Sequence, residues 1–341
     1  MSAMQLNATR LNAVRLNNTA INSVGERLSA SHAGAPPSTP EVDANGYIVF
    51  KDPEVARICA ENWGDGTGIT LEQAAAVTSF KYVFQKSDIR VFDEAYKFKG
   101  ITELEASGRG TGGAFNRCTS LESITLPNSI VKLQDGDITY GGGDSVFYEC
   151  TSLKECAGLG NVTYIGVAAF YKCSTLEDVD VDWSKVTAIG NNAFDGCNIA
   201  IDKLALPKLE VLRASSLVGI KTRLVVDLGS ITELSKQWYN NLFSTTTECV
   251  ILPQTLTTMT THSMYMSASF KVLVMRGDSP PQIASNTFVN IPSTAQFYVP
   301  NVSVEAYKTA TNWSAYASRI KGISELPIDN PELYNEIKDY L

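Results

Sequence analysis

Apolar positions recur along this chain in two rhythms. In the middle, Ala114-Phe115-Asn-Arg-Cys118-Thr-Ser-Leu121 is followed by Val146-Phe147-Tyr-Glu-Cys150-Thr-Ser-Leu153. Two further copies are Ala169-Phe170-Tyr-Lys-Cys173-Ser-Thr-Leu176 and Ala193-Phe194-Asp-Gly-Cys197-Asn-Ile-Ala200. The four phenylalanines fall 32, 23 and 24 positions apart. Phe98-Lys-Gly-Ile101-Thr-Glu-Leu104 reads as an earlier copy with Ile in place of Cys, and Leu217, Phe243 and Phe288 mark later, decayed ones. After the leucine, Leu121-Glu-Ser-Ile124-Thr-Leu126-Pro127 alternates apolar and polar residues, the signature of a half-buried strand. The proline ends it, because it donates no hydrogen bond to a ladder. Tyr164-Ile165-Gly166 and Ala188-Ile189-Gly190 form a second half-motif, whose glycine suits a turn of positive φ. Self-similarity at this period predicts a repeat solenoid, β-rich with short connectors, holding Phe, Leu, Ile and Cys ladders inside.

The second rhythm opens the chain. Leu6, Leu11, Leu16 and Ile21 stand five apart, each followed by Asn7, Asn12, Asn17 or Asn22. A step of five turns ~140° on an α-helix and alternates faces on a strand, so neither element gathers these residues on one side. A pentapeptide-type coil does, but four pentads cannot bury their own face. Residues 1–35 therefore read as an anchoring or oligomerisation arm, ordered against a partner or against copies of itself; the alternative is a low-complexity tail. Residues 36–46, rich in Pro, Ser, Ala and Gly, read as a linker. A small helical leader over 47–80, the solenoid over 81–300, and a C-terminal cap and tail over 301–341 complete the division.

The AF-x-x-C-T-S-L-x-x-I-x-L-P pattern resembles the BspA-like leucine-rich repeats of gut bacteria and their phages, over roughly residues 47–323. The flanks agree. Asn45 to Ala56 resembles the helical leader of such arrays, and Phe297-Tyr-Val-Pro300 with Val304 to Lys308 resembles the closing strand and capping helix. Trp313, Tyr316 and Ile320 continue that helix at helical spacing. The resemblance implies binding and adhesion in general and names no ligand.

Composition narrows the chemistry. Among 341 residues, 28 are basic and 36 acidic, for a formal net charge of −8. That balance argues against sequence-independent nucleic-acid binding, which needs a basic face. The two histidines, His32 and His262, leave little for His-dependent catalysis or metal binding, and no catalytic constellation is visible. Cys118, Cys150, Cys173 and Cys197 occur once per repeat, unlike the closely paired ligands of a zinc site, and read as buried thiols. Around Gly66, Glu61, Trp63, Asp65 and Glu72 fall at the ligand positions of a calcium loop. Trp63 cannot ligate, so the segment reads as a degenerate loop turned helix–turn–helix joint. The glycines from Gly108 to Gly113 lack the Lys-Ser/Thr of a phosphate loop. Arg276-Gly277-Asp278 reads as a plain turn after a strand. No cofactor is expected.

Asp135, Asp137, Tyr140 and Asp144 lie in the longest inter-repeat spacing and are the candidate ligand-facing loop, since insertions in solenoids project from one face. There is no apolar run of export-signal type at the start and no stretch of ~18 apolar residues. The features together favour a non-enzymatic virion protein, a surface fibre or decoration subunit of a tailed phage. It would be a homo-oligomer, a trimer by the symmetry of fibres. A capsid or tail protein would hold its arm, and the array would face a cell-surface protein or glycan. The alternative is a bacterial cell-surface adhesin with the same repeats.

Overall fold

The computed structural model describes residues 41–106, 112–136, 145–235 and 242–341. Each early coil contributes two short strands and some later coils a third (Ile199–Ala200 with Ile220–Lys221, Met264–Tyr265 with Phe288–Val289), and all these strand pairs are parallel. On one side Val91–Phe92, Ser123–Thr125, Glu155–Ala157 and Asp178–Val179 form a four-stranded sheet. On the other, Glu103–Leu104, Lys132–Leu133, Tyr164–Ile165, Ala188–Ile189 and Val211–Leu212 form a five-stranded one. The sequence alternation sets the facing: Ile124, Cys156 and Val179 point into the core from the first sheet, and Leu133, Ile165 and Ile189 from the second.

The Phe–Cys turns stack as tightly as the strands. Phe84, Phe115, Phe147, Phe170 and Phe194 form a column with ring centroids 5.3, 5.2, 5.2 and 5.4 Å apart, the last three pairs within 7° of parallel. The thiols have a polar task inside it. Cys118, Cys150, Cys173 and Cys197 each donate through Sγ to the carbonyl of the Phe one coil earlier, at 2.8, 3.1, 3.1 and 3.0 Å. Burial pushes the thiols of Cys118, Cys150 and Cys173 well up from their usual range. A thiol-specific reagent should therefore leave these three untouched in native protein, and modify Cys197, the one partly exposed cysteine, first. Mass spectrometry of the modified peptides checks the order, and native labelling of Cys150 before Cys197 would refute it.

Two local expectations are corrected. Phe98 is buried in the core but is not a rung of the column; Phe84 is. Glu103–Leu104 pairs with Lys132–Leu133 and Val131 N–H donates to Thr102 O at 2.8 Å, so Phe98 and Ile101 align with Pro127 and Ile130 at the opposite bend. There Phe98 packs on Phe80, Phe92 and Trp63. Gly166 and Gly190 are also not positive-φ positions. They are glycines because a Cβ would lie 2.3 Å from Gln134 O and 2.4 Å from Val167 N. The left-handed residue instead stands two after each column Phe: Lys86, Arg117, Glu149, Lys172 and Gly196.

Both ends are sealed. Helix α1, Pro53–Trp63, buries Val55, Ile58, Cys59 and Ala60, and its N-cap Asp52 accepts from Glu54 N–H at 2.8 Å. The second Asp52 oxygen accepts from Arg90 N–H at 2.5 Å and so fastens the leader to the first coil. At the far end the expected long capping helix is two pieces. Helix α2 spans Val304–Thr309 and a 3₁₀ turn spans Trp313–Arg319. They are broken by left-handed Asn312, φ 65°. The break lets Asn312 Nδ2 and Trp313 Nε1 donate to Ile283 O and Pro281 O, carbonyls of the last coil. Ile320 then begins a final strand, Ile320–Gly322, on Gln296–Val299, beyond the boundary expected at 300.

In the later coils the first-side sheet reforms with six strands from Lys203–Ala205 to Ile320–Gly322. Here the strands are apolar on both faces. Val225, Val250 and Leu273 face the main core, while Leu224, Val226, Cys249, Ile251, Val272, Val274 and Tyr298 face outward. The C-terminal tail covers that outer face with Leu326, Leu333 and Ile337 from the short helices Leu326–Asp329 and Pro331–Ile337. Arg223 pairs with Glu336, Lys203 Nζ donates to Glu336 O at 2.6 Å, and Tyr298 Oη donates to Asp329 at 2.9 Å.

Candidate binding face

The outer face of the first-side sheet changes character along the array. Apolar and covered in the later coils, it is polar and open in the early ones. Residues two after the repeat leucine point outward there: Ser123, Glu155 and Asp178, in cross-strand register. A cleft of about 850 Å³ opens over these strands. Glu155, Asp178 and Asp180 line one side, and Leu126, Pro127, Cys156 and Ala157 contribute to the floor.

Tyr96 and Lys99 also line the cleft. Tyr96 lies on the 3₁₀ turn Asp93–Lys97, which directly follows the first strand. Asp93 accepts from Ser123 Oγ at 2.9 Å and from Lys51 Nζ at 2.5 Å, so the turn is pinned to both the sheet and the leader. Lys97, buried beside the ring, sits with Nζ 4.8 Å from the Tyr96 centroid and 3.4 Å from Glu41. Tyr96 itself remains 41% exposed.

The charges in the cleft depart from the pattern of the array. At three other places on the array a single carboxylate lies between cations of the neighbouring coils. Glu122 lies between Arg90 at 2.5 Å and Lys154 at 3.2 Å, and these two bonds hold its carboxyl below the usual carboxylate range. Glu149 lies between Arg117 and Lys172, at 3.0 and 3.1 Å. Glu248 lies between Lys271 and Arg223. Glu155 and Asp178 are direct cross-strand partners, yet neither side-chain carboxylate has a hydrogen bond or ion pair with a described residue. Like charges directly opposite on neighbouring strands are destabilising. Among the described residues, the Asp180 carboxylate receives only Gly158 N–H, at 3.4 Å.

The residues singled out in the sequence fall elsewhere. Asp135 follows a strand of the second-side sheet and spends both oxygens within the protein, accepting from Tyr164 Oη at 2.6 Å and Val167 N–H at 2.9 Å. Asp137, Tyr140 and Asp144 lie outside the described residues, as do Leu6, Leu11, Leu16, Ile21 and the asparagines of the arm. Asp65 caps its own turn, accepting from Thr67 and Gly68 N–H and from Tyr47 Oη. Among the described residues no group of three or more His, Cys, Asp or Glu could hold a metal ion. The turn of Arg276-Gly277-Asp278 is tied down by Tyr307 Oη, which donates to Gly277 O at 2.8 Å. Among the described residues no helix is long and apolar enough to cross a membrane. The Tyr96 cleft is absent from the sequence reading. Its signal was there, in acidic residues at the same repeat position of two successive coils.

Comparison with known proteins bears on the array alone. Residues 91–208 match the family described as BspA type leucine-rich repeat region, in six copies. No curated protein matches the chain. Among solved structures, the chain is similar to a leucine-rich repeat protein from Bacteroides ovatus ATCC 8483 at 18% identity. The match covers 59% of this chain and 56% of that one, so the chain spans little more than half the length of that protein, with a TM-score of 0.34. Six matched copies and the stacked Phe–Cys turns agree: residues 91–208 are a BspA-type leucine-rich repeat region, and these repeats carry the open cleft.

Proposed function

We propose that this chain is a non-enzymatic attachment protein, a surface fibre or decoration subunit of a tailed-phage particle. Residues 1–35 anchor it to a capsid or tail protein, and the array is displayed outward towards a cell-surface protein or glycan. The observation that carries the binding half is the open polar cleft, held on a rigid stack of parallel strands beside an exposed aromatic ring. The period-five arm supports the anchoring half, because its apolar residues have no face of their own to bury. A trimer fits both, giving three arms to pack together.

Deleting residues 1–35 tests the reading. Full-length protein should form a trimer by light scattering and sediment with particles, and the truncated chain should be monomeric and stay in the supernatant. Incorporation of the truncated chain at wild-type level would overturn the anchoring role. Recovery of the native protein from a bacterial envelope fraction free of particles would replace the virion assignment with a cell-surface adhesin.

A further inference from the structure

We propose that the Tyr96 cleft binds a basic segment of a partner polypeptide, with a lysine or arginine side chain seated between Tyr96 and the Glu155–Asp178 pair. The inference deepens the attachment reading and rests on it only for where the array is displayed. It starts from the anomaly in the charge pattern. Glu122, Glu149 and Glu248 are each bracketed by two cations from neighbouring coils. At Glu155 and Asp178 the bracketing cation is missing among the described residues, and two carboxylates face each other on adjacent strands, ~4.8 Å apart. Asp180 adds a third carboxylate to the same cleft. Lys99 is the one ammonium in the lining, and it leaves two of the three carboxylates uncompensated. An incoming cation removes the repulsion; a neutral sugar hydroxyl leaves both charges in place.

The rest of the cleft suits the same occupant. The exposed Tyr96 ring offers a face to a guanidinium or ammonium, an attraction that strengthens as the cation is desolvated. Half-buried Ala157, beside Cys156 in the lining, gives the aliphatic stem of a Lys or Arg an apolar contact while its head meets carboxylate. The volume of about 850 Å³ holds several residues, so the ligand is a segment and not a lone side chain. A bare carboxylate pair also steers a basic partner from a distance.

The test uses the full chain and a fluorescein-labelled hexalysine peptide, read by anisotropy at low and physiological salt. Because the protein is acidic overall, the specific variant Glu155→Gln/Asp178→Asn is compared with Glu210→Gln/Glu233→Gln. The second pair removes the same charge from exposed positions in and beside the second-side strands. The cleft variant should bind at least about tenfold more weakly and the remote variant within about twofold of wild type. Tyr96→Ala should weaken binding without changing the net charge. The thermal midpoint gives a second readout: relieving the like-charge pair should leave it unchanged or raise it. Equal weakening in both double variants would reduce the effect to general acidity and overturn the proposal. So would a lowered midpoint in the cleft variant, which would make the carboxylates structural, or binding of a neutral oligosaccharide in place of hexalysine. A chain that assembles through its arm but ignores hexalysine refutes the cleft assignment alone. One that binds hexalysine but joins particles without its arm refutes the anchoring role alone.

Discussion

Phe147→Ala is expected to destabilise the protein by about 3–5 kcal/mol and to split its unfolding into two transitions. The ring is fully buried, with Phe115 and Phe170 stacked on its two faces at 5.2 Å. Neither neighbour can close the gap, because each is fixed by its own coil's strands and by the thiol bond at its carbonyl. In a solenoid each coil touches only the coils beside it, so the cost falls on two interfaces at once and uncouples the coils before Phe147 from those after it. Phe288→Ala supplies the contrast. That ring lies near the far end of the array, is 7% exposed, and packs against the adaptable cluster of Phe297, Trp313 and Tyr316. It should cost less and leave a single transition. Urea unfolding followed by circular dichroism and by tryptophan fluorescence checks both. Trp63 reports the N-terminal end and Trp313 the C-terminal end, so non-coincident curves in the Phe147 variant are the expected sign. Coincident curves with a loss below about 1 kcal/mol would show that the column does not couple the array.

The repeat was legible because its residues do the same thing in every coil. Phe115, Phe147, Phe170 and Phe194 stack, and Cys118, Cys150, Cys173 and Cys197 bond to the preceding Phe carbonyl. Legibility failed where a coil is defined by partners and not by its own letters. Phe84 is a column residue, but Ser87 stands where later coils have Cys, so Phe98 looked the better match until the backbone bonds placed it. Trp313, Tyr316 and Ile320 have helical spacing. The carbonyls of Pro281 and Ile283 that break the helix lie about thirty residues away, beyond any local pattern. The cleft failed for a related reason. Glu155 and Asp178 share a repeat position, but their unpaired state appears only beside Glu122 and Glu149, whose cations come from neighbouring coils. Asp135 shows the reverse: its sequence marks an acid in a long loop, and Tyr164 one coil away consumes it.

Removing residues 323–341 is expected to turn a well-behaved chain into a self-associating one while leaving the array folded. The continuous apolar runs Cys249–Leu252 and Val272–Met275 already signal strands buried on both faces. Their inner residues belong to the main core and would stay there. Their outer residues, with Leu224, Val226 and Tyr298, would lose Leu326, Leu333 and Ile337. Burying each such aliphatic side chain stabilises by about 1.5–3 kcal/mol, and the opened patch spans four or more strands. Contiguous apolar surface of that kind drives association. Size-exclusion chromatography should show higher oligomers, the far-ultraviolet spectrum should keep its strand signal, and a hydrophobic dye should bind. Cys249 gives a local reporter. Its thiol lies in the covered outer face, so it should become reactive in the truncated chain while Cys150 and Cys173 in the column stay inert. Leu333→Asp with Ile337→Asp should reproduce the exposure without shortening the chain. A truncated chain that keeps the oligomeric state of the full-length protein with Cys249 protected would mean that some other element covers this face. The expected outcome fixes a division of labour on one sheet: its apolar half is closed by the chain's own tail, so an external partner is left the polar half, where Tyr96, Glu155 and Asp178 stand open.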